Sequence, residues 1–219
     1  MTTAGRAGRA RATRERILVA AERLYAEHGV LAVSNRQISE AAGQGNNTAV
    51  GYHFGTRAEL VRAIVRKHTG PVERLRGRRL DRGQTGLRDW LACLVYPTTE
   101  HLAELGAPTW FARFAAQVMT EPSLREVIIE ETLTSPSLAR TLTGLYRCLP
   151  GLPAEVRAER NDSTRLVLMH AMAERERALA DGTGTPRAGW RDTAAALTDV
   201  LAGLWLAPVT KQPRGKEKP

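Results

Sequence analysis

The chain of 219 residues is 42% hydrophobic and carries a formal net charge of +9 at pH 7. That content suffices for a core of one or two domains, and no apolar run nears the roughly 18 to 20 residues of a membrane span, so a soluble, cytoplasmic protein with no membrane partner is expected. Cys93 and Cys148 stand alone without metal-ligand spacing, which fits a reducing compartment and leaves no metal or cofactor to expect.

Residues 1–13 place Arg6, Arg9 and Arg11 among Ala and Gly with no acidic residue and no apolar run. They predict a flexible basic arm rather than a secretory signal. Two readings of the arm fit: arginines that follow a DNA groove or its phosphates, or a disordered leader. Then Ile17, Ala20, Ala21, Leu24, Tyr25 and His28 repeat at helical spacing and predict a scaffold helix with one apolar stripe.

The next stretch, SNRQISEAAGQGNNTAVGYHF over 34–54, reads as two short helices joined by a glycine-bearing turn. Ser34 with Gln37 three residues on is a capping box, so a helix starts at Asn35 and buries Ile38, Ala41 and Ala42; Gly43 and Gly45 stop it. A following helix near Asn46 to Tyr52 turns only Ala49 and Val50 inward, and its polar face suits a DNA major groove. Phe54 belongs to the core. Thr56 with Glu59 forms a second capping box, and Leu60, Val61, Ile64, Val65 and His68 make the stripe of a fourth helix. Four helices over about 60 residues, 14–69, make a helix-turn-helix DNA-binding domain.

ILVAAERLYAEHG, ISEAAG and TAVGYHFGTRAELVRAI resemble the N-terminal domain of the tetracycline-repressor-like (TetR) regulators over residues 14–67. The turn between Gly43 and Tyr52 is one residue longer than in most members, and Gly51 stands where many carry a side chain. The resemblance implies an all-α protein, a helix-turn-helix head with a C-terminal helical bundle, in which Tyr52 and His53 contact phosphates. It implies a homodimer on a double-stranded DNA operator, released by a small-molecule effector bound in the C-terminal domain.

Charge supports the same division: residues 1–83 hold 16 Lys/Arg against 7 Asp/Glu, residues 84–207 hold 12 against 15, and the polar tail 208–219 holds 4 against 1. The basic excess lies with the head, as a polyanion partner requires. Arginine outnumbers lysine 28 to 4, which points to a GC-rich bacterial genome.

Residues 70–207 read as helices throughout, a ligand-binding and dimerisation domain. Pro71 is expected to break the chain after the fourth helix, followed by segments near 71–81, 86–96, 98–105, 108–120, 122–133 and 137–149. Pro153 opens a helix running to Asp181, where Gly182 ends it. In the last helix Trp190, Ala194, Leu197, Leu201 and Leu204 follow a 4-3-4-3 spacing, with Thr198, Ala202 and Trp205 beside them. One strip faces its own domain and the other a partner; with Leu166 on the preceding helix, these form the expected dimerisation face, a four-helix bundle by resemblance. A buried terminal helix in a monomer is the alternative.

For DNA contacts the residues nominate Asn46, Asn47 and Thr48 near base edges or backbone, and Arg57 and Arg36 at helix starts beside phosphates. For the effector, Arg113 and Gln117 share a face with Trp110 and Phe114, and His170 sits near Met169; each polar group also reads as an ordinary core or rim residue. No nucleotide loop, His-Glu-x-x-His, Cys-x-x-Cys or nucleophile elbow is present, so no enzyme is expected. The competing functions are a nonspecific architectural DNA binder and a peripheral membrane or acidic-partner binder, the latter opposed by basic segments that lack bulky apolar residues.

Overall fold

A computed structural model describes residues 3–46, 48–184 and 189–210. Among them are ten helices and no strand: α1 (Thr3–His28), α2 (Asn35–Ala41), α3 (Ala49–Phe54), α4 (Arg57–Leu80), α5 (Leu87–Leu105), α6 (Phe111–Met119), α7 (Pro122–Leu133), α8 (Pro136–Arg147), α9 (Ala154–Ala180) and α10 (Trp190–Leu206). The all-α reading holds.

The head is built by α1, α2, α3 and the first half of α4 around Ile17, Ala21, Tyr25, Ile38, Val50, Leu60, Val61 and Ile64, all buried. The expected α1 stripe is right except at its end, where His28 is exposed. In α2 Ile38 and Ala42 are buried, but Ala41 is exposed and Ser39 takes the inward position. The residues expected as a loose arm continue α1 back to Thr3, as a run rich in Ala and Arg favours. Ala7 to Ala12 on that extension are exposed. Thr56 caps α4 by accepting from the Glu59 N–H at 3.2 Å, while the Glu59 carboxylate turns to Arg62 at 3.3 Å, so half of the second capping box forms.

The expected break at Pro71 is absent, because α4 passes through it to Leu80 and carries one rigid element from head to C-terminal domain. The segments expected at 86–96 and 98–105 are likewise one helix, α5, with Pro97 inside it. A proline in a helix leaves the carbonyl four residues earlier without its N–H. For Pro97 that carbonyl is Cys93, and the buried Arg76 of α4 donates to it from Nε at 3.1 Å. A tertiary donor thus replaces the missing local one.

The C-terminal core packs α5, α8, α9 and α10, with Leu91, Leu102, Leu145, Ala194, Leu201 and Trp205 buried. Helix ends are held by side chains from other helices. Glu176 of α9 accepts from the α6 backbone N–H groups of Ala112 and Arg113 at 3.2 and 2.9 Å. Glu73 of α4 accepts from Ser137 N–H of α8 at 2.8 Å, and Arg160 of α9 donates to the Trp205 and Ala207 carbonyls that end α10.

Head and C-terminal domain share a core rather than a hinge. Phe114 and Val118 of α6 and Leu124 and Val127 of α7 lie within the head cluster, and Tyr25 stacks on Phe114 with centroids 6.2 Å apart.

Candidate nucleic-acid interface

The capping box at α2 is formed as the sequence requires: Gln37 N–H donates to Ser34 Oγ at 3.3 Å and Ser34 N–H to Gln37 Oε1 at 2.9 Å. Gly43, at φ +65°, then turns the chain away, a left-handed conformation that glycine adopts without strain. The third helix differs from expectation. It starts at Ala49 rather than Asn46, because the Asn46 side-chain oxygen accepts from Thr48 N–H (2.9 Å) and Thr48 Oγ–H (2.7 Å), a local turn that competes with helix.

α3 presents its residues to two sides. Val50 and Phe54 are buried, whereas Tyr52 is 85% exposed, and its ring meets the half-buried His53 edge-on at 5.1 Å. Asn46 and Thr48 are exposed just before it; Asn47 lies outside the described residues. A Cβ built on Gly51 meets nothing within 4 Å, so the exposed face of α3 is narrow and unobstructed there. Such a face, with a phenol and small polar groups, carries donors and acceptors of the kind that meet the hydrogen-bonding edges of a major groove.

The basic candidates fare unequally. Arg36 is exposed and pairs with Glu40 at 2.8 Å, one turn along α2. Arg57 is half-buried and donates to the Val33 carbonyl at 3.1 Å, which ties α4 to the loop before α2. Sequence reasoning missed Arg14, whose guanidinium lies over Phe54 at 4.7 Å and is exposed beside α3. It lines a cleft of about 420 Å³ with His53, Arg62, Arg66 and Lys67. The signal was present as a basic residue one turn ahead of the α1 stripe.

The residues nominated for an effector lie on α6 and α9 and differ in burial. Arg113 is buried and bonded to the Glu176 carboxylate at 3.3 Å and the Thr109 carbonyl at 3.1 Å. Phe114 is fully buried in the head core; Trp110 and Gln117 are half-buried at the same junction. Met169 is half-buried on α9, and His170 is exposed to solvent. Their shared helical spacing did not reveal that Ala112 and Ala116 of α6 and Met172 and Ala173 of α9 are buried in the C-terminal core, with Arg113 bonded across to Glu176.

The residues expected for dimerisation differ in exposure. Ala194, Leu197, Leu201 and Trp205 are buried in their own domain, Trp205 donating its indole N–H to Thr164 of α9 at 2.9 Å. Trp190 and Leu204 are half-buried. The outward strip of α10 instead carries Val200, Gly203 and Leu206, with Leu166 of α9 47% exposed.

A capped helix-turn-helix, locked into a helical body through α4 and α6, is the framework of a DNA-binding regulator. The chain belongs to the tetR family of bacterial regulatory proteins: that family's model matches residues 17–64, and the tetracyclin repressor-like C-terminal domain matches residues 92–203. Solved structures of the same fold include NalD, the secondary repressor of the MexAB-OprM multidrug efflux pump in Pseudomonas aeruginosa (22% identity, 88% of this chain and 96% of that one, TM-score 0.58). AmtR of Mycobacterium smegmatis is 18% identical over 90% of this chain and 87% of its own, with a TM-score of 0.56. PfmR of Thermus thermophilus is 21% identical over 85% of this chain and 96% of its own, with a TM-score of 0.52. No curated protein matches the sequence. As a member of the family the protein is a DNA-binding transcriptional regulator and not an enzyme. No described helix is long and apolar enough to cross a membrane.

Proposed function

We propose that the protein is a sequence-specific repressor that binds a palindromic operator as a homodimer and is released by a small molecule acting on its C-terminal domain. The observation that carries this reading is the exposed face of α3, Thr48 to Tyr52, held out by a core that also contains α6. One such helix touches too few base pairs for genomic specificity, which calls for a twofold pair. The outward strip of α9 and α10, Leu166, Val200, Gly203 and Leu206, is the pairing surface in this reading. The packing of Phe114 on Tyr25 supports release in this reading: a ligand that moves α6 moves the head and spoils the half-site spacing.

Selection of bound fragments from random-sequence DNA at near-physiological salt tests the reading. A twofold-symmetric motif with half-sites about one helical turn apart supports it. Binding without a motif, collapsing as salt rises, replaces it with a nonspecific architectural function.

A further inference from the structure

A chain of buried polar groups crosses the boundary between head and C-terminal core. Glu22 of α1 is 4% exposed, His68 of α4 is 1% exposed and His101 of α5 is 4% exposed. His68 Nε2 lies 3.0 Å from Glu22 Oε2, and His68 Nδ1 lies 2.8 Å from His101 Nε2. Lys67 of α4 also reaches Glu22, at 3.3 Å, and pairs with Glu15 at 3.7 Å. The fourth wall is Phe111 of α6, stacked on the His68 ring with centroids 3.9 Å apart. Four helices, two from each side of the molecule or shared between them, therefore meet on one imidazole.

The proton count in this chain is fixed by its geometry. An ionised carboxylate only accepts, so His68 Nε2 carries a hydrogen and donates to Glu22. Two imidazole nitrogens at 2.8 Å need one hydrogen between them. Either His101 Nε2–H donates to a neutral His68, or an imidazolium His68 donates from Nδ1 to a lone pair on His101. The closed contact thus holds no positive charge or one. With two, N–H would face N–H across the same gap, in a site that water does not reach.

We propose that Glu22, His68 and His101 form a proton-operated joint, closed while the two imidazoles share one hydrogen and opened by a second proton, which loosens α5 from α4 at the boundary between head and C-terminal core. The charged groups around it work in one direction. Burial first, then the neighbouring His68, with Lys67 and Arg74 adding to them, push His101 down to about 4 against the pull of Glu22. Burial alone raises Glu22, but the His68 hydrogen bond and charge and Lys67 outweigh it and hold the carboxyl below its ordinary range. In the opened joint His101 regains its ordinary affinity for a proton, so the open population rises about tenfold per pH unit as pH falls below about 6.5. That the opened head then reads paired half-sites less well rests on the function proposed above; the opening itself does not.

The test needs no DNA, so its outcome is independent of that reading. Hydrogen exchange of the full chain is followed by mass spectrometry from pH 7 to 5, corrected for intrinsic rates, with amides of the α9–α10 core as internal control. The open population around Glu22 and His101 is expected to rise about thirtyfold in the wild type and to stay within about threefold in His101→Gln, whose amide donates to His68 without titrating. Equal pH slopes in both proteins, or no slope in the wild type, overturn the proposal. Should His101→Gln fail to fold, NMR titration of the wild-type imidazoles decides: a His101 midpoint at or below about 5 supports the joint, and one near 6.5 overturns it.

Discussion

Tyr52 is the residue whose placement makes the sharpest demand on function, because a phenol 85% exposed on a six-residue helix contributes little to the fold. Tyr52→Phe is expected to leave thermal stability unchanged within about 0.5 kcal/mol while weakening binding to all DNA sequences alike, as loss of a phosphate contact does. Sequence-dependent losses in a competition assay would make it a base reader instead. Its neighbour Gly51 gives the complementary case. A methyl there meets nothing and φ is not positive, so Gly51→Ala is expected to stabilise α3 by about 0.5–1 kcal/mol in a urea titration. At this scale the sequence was informative for Tyr52, His53 and Phe54, whose falling exposure follows from their register beside Val50. It misplaced the helix start at Asn46, where a side-chain oxygen that suits adenine also suits the two Thr48 donors two residues away.

Between elements, the two internal prolines show how tertiary structure overrides a local rule. Pro71 and Pro97 both read as breaks, and neither ends its helix. For Pro97 the compensation is explicit, since Arg76 donates to the orphaned Cys93 carbonyl at 3.1 Å. Arg76→Met is expected to cost about 1–3 kcal/mol by leaving that carbonyl unpaired. In a Pro97→Ala background the helix regains its own N–H for the same carbonyl, and the substitution then costs about 1 kcal/mol less. Equal costs in the two backgrounds, measured by denaturant unfolding, would mean that Arg76 serves Ser135 and Ser137 rather than Cys93. A second inter-element contact is steric: a Cβ on Gly144 of α8 falls 2.3 Å from the Trp90 ring of α5. Where punctuation alone decides, as at Pro153 and Gly182 around α9, the sequence reading is accurate to one residue. Where a partner helix decides, it has no access to the answer.

The same boundary between local and distant causes appears in the whole molecule. The 4-3-4-3 strip of α10 is real, yet periodicity alone leaves open how much of the helix faces inward; both strips are largely buried, and Thr164, 41 residues before Trp205, accepts the indole N–H. The tie between head and C-terminal domain was equally illegible, because two adjacent acids, Glu130 and Glu131, carry no sequence signal of a distant partner. Helical geometry does point them apart, but both reach arginines of α4. Arg62 donates to Glu130 at 3.1 Å and to Glu131 at 2.8 Å, while Arg66 grips Glu131 through two bonds of 2.8 and 2.9 Å.

This tie sets an acid and salt dependence that differs from that of the buried histidines. The Arg66 hydrogen bonds, against some desolvation and with help from Arg62, hold the Glu131 carboxyl below its ordinary 4.5. A group depressed on folding stabilises the native state above its unfolded value, and that contribution is lost as pH falls through the folded value. Glu131→Gln is therefore expected to lower the urea midpoint at pH 7, with a deficit that narrows in 1 M salt because Arg66 is exposed to screening ions. The deficit should close as pH drops well below 4.5, where the wild-type carboxyl is itself protonated. His101 acts in the window above, since its contribution is full above 6.5 and is lost toward about 4. A wild-type stability curve that already falls between pH 6.5 and 5, with the Glu131→Gln deficit constant over that interval, assigns the first loss to the histidine joint. A deficit that shrinks in the same interval would place Glu131 in a different ionic setting and break the link between α4 and α7 argued from these four bonds.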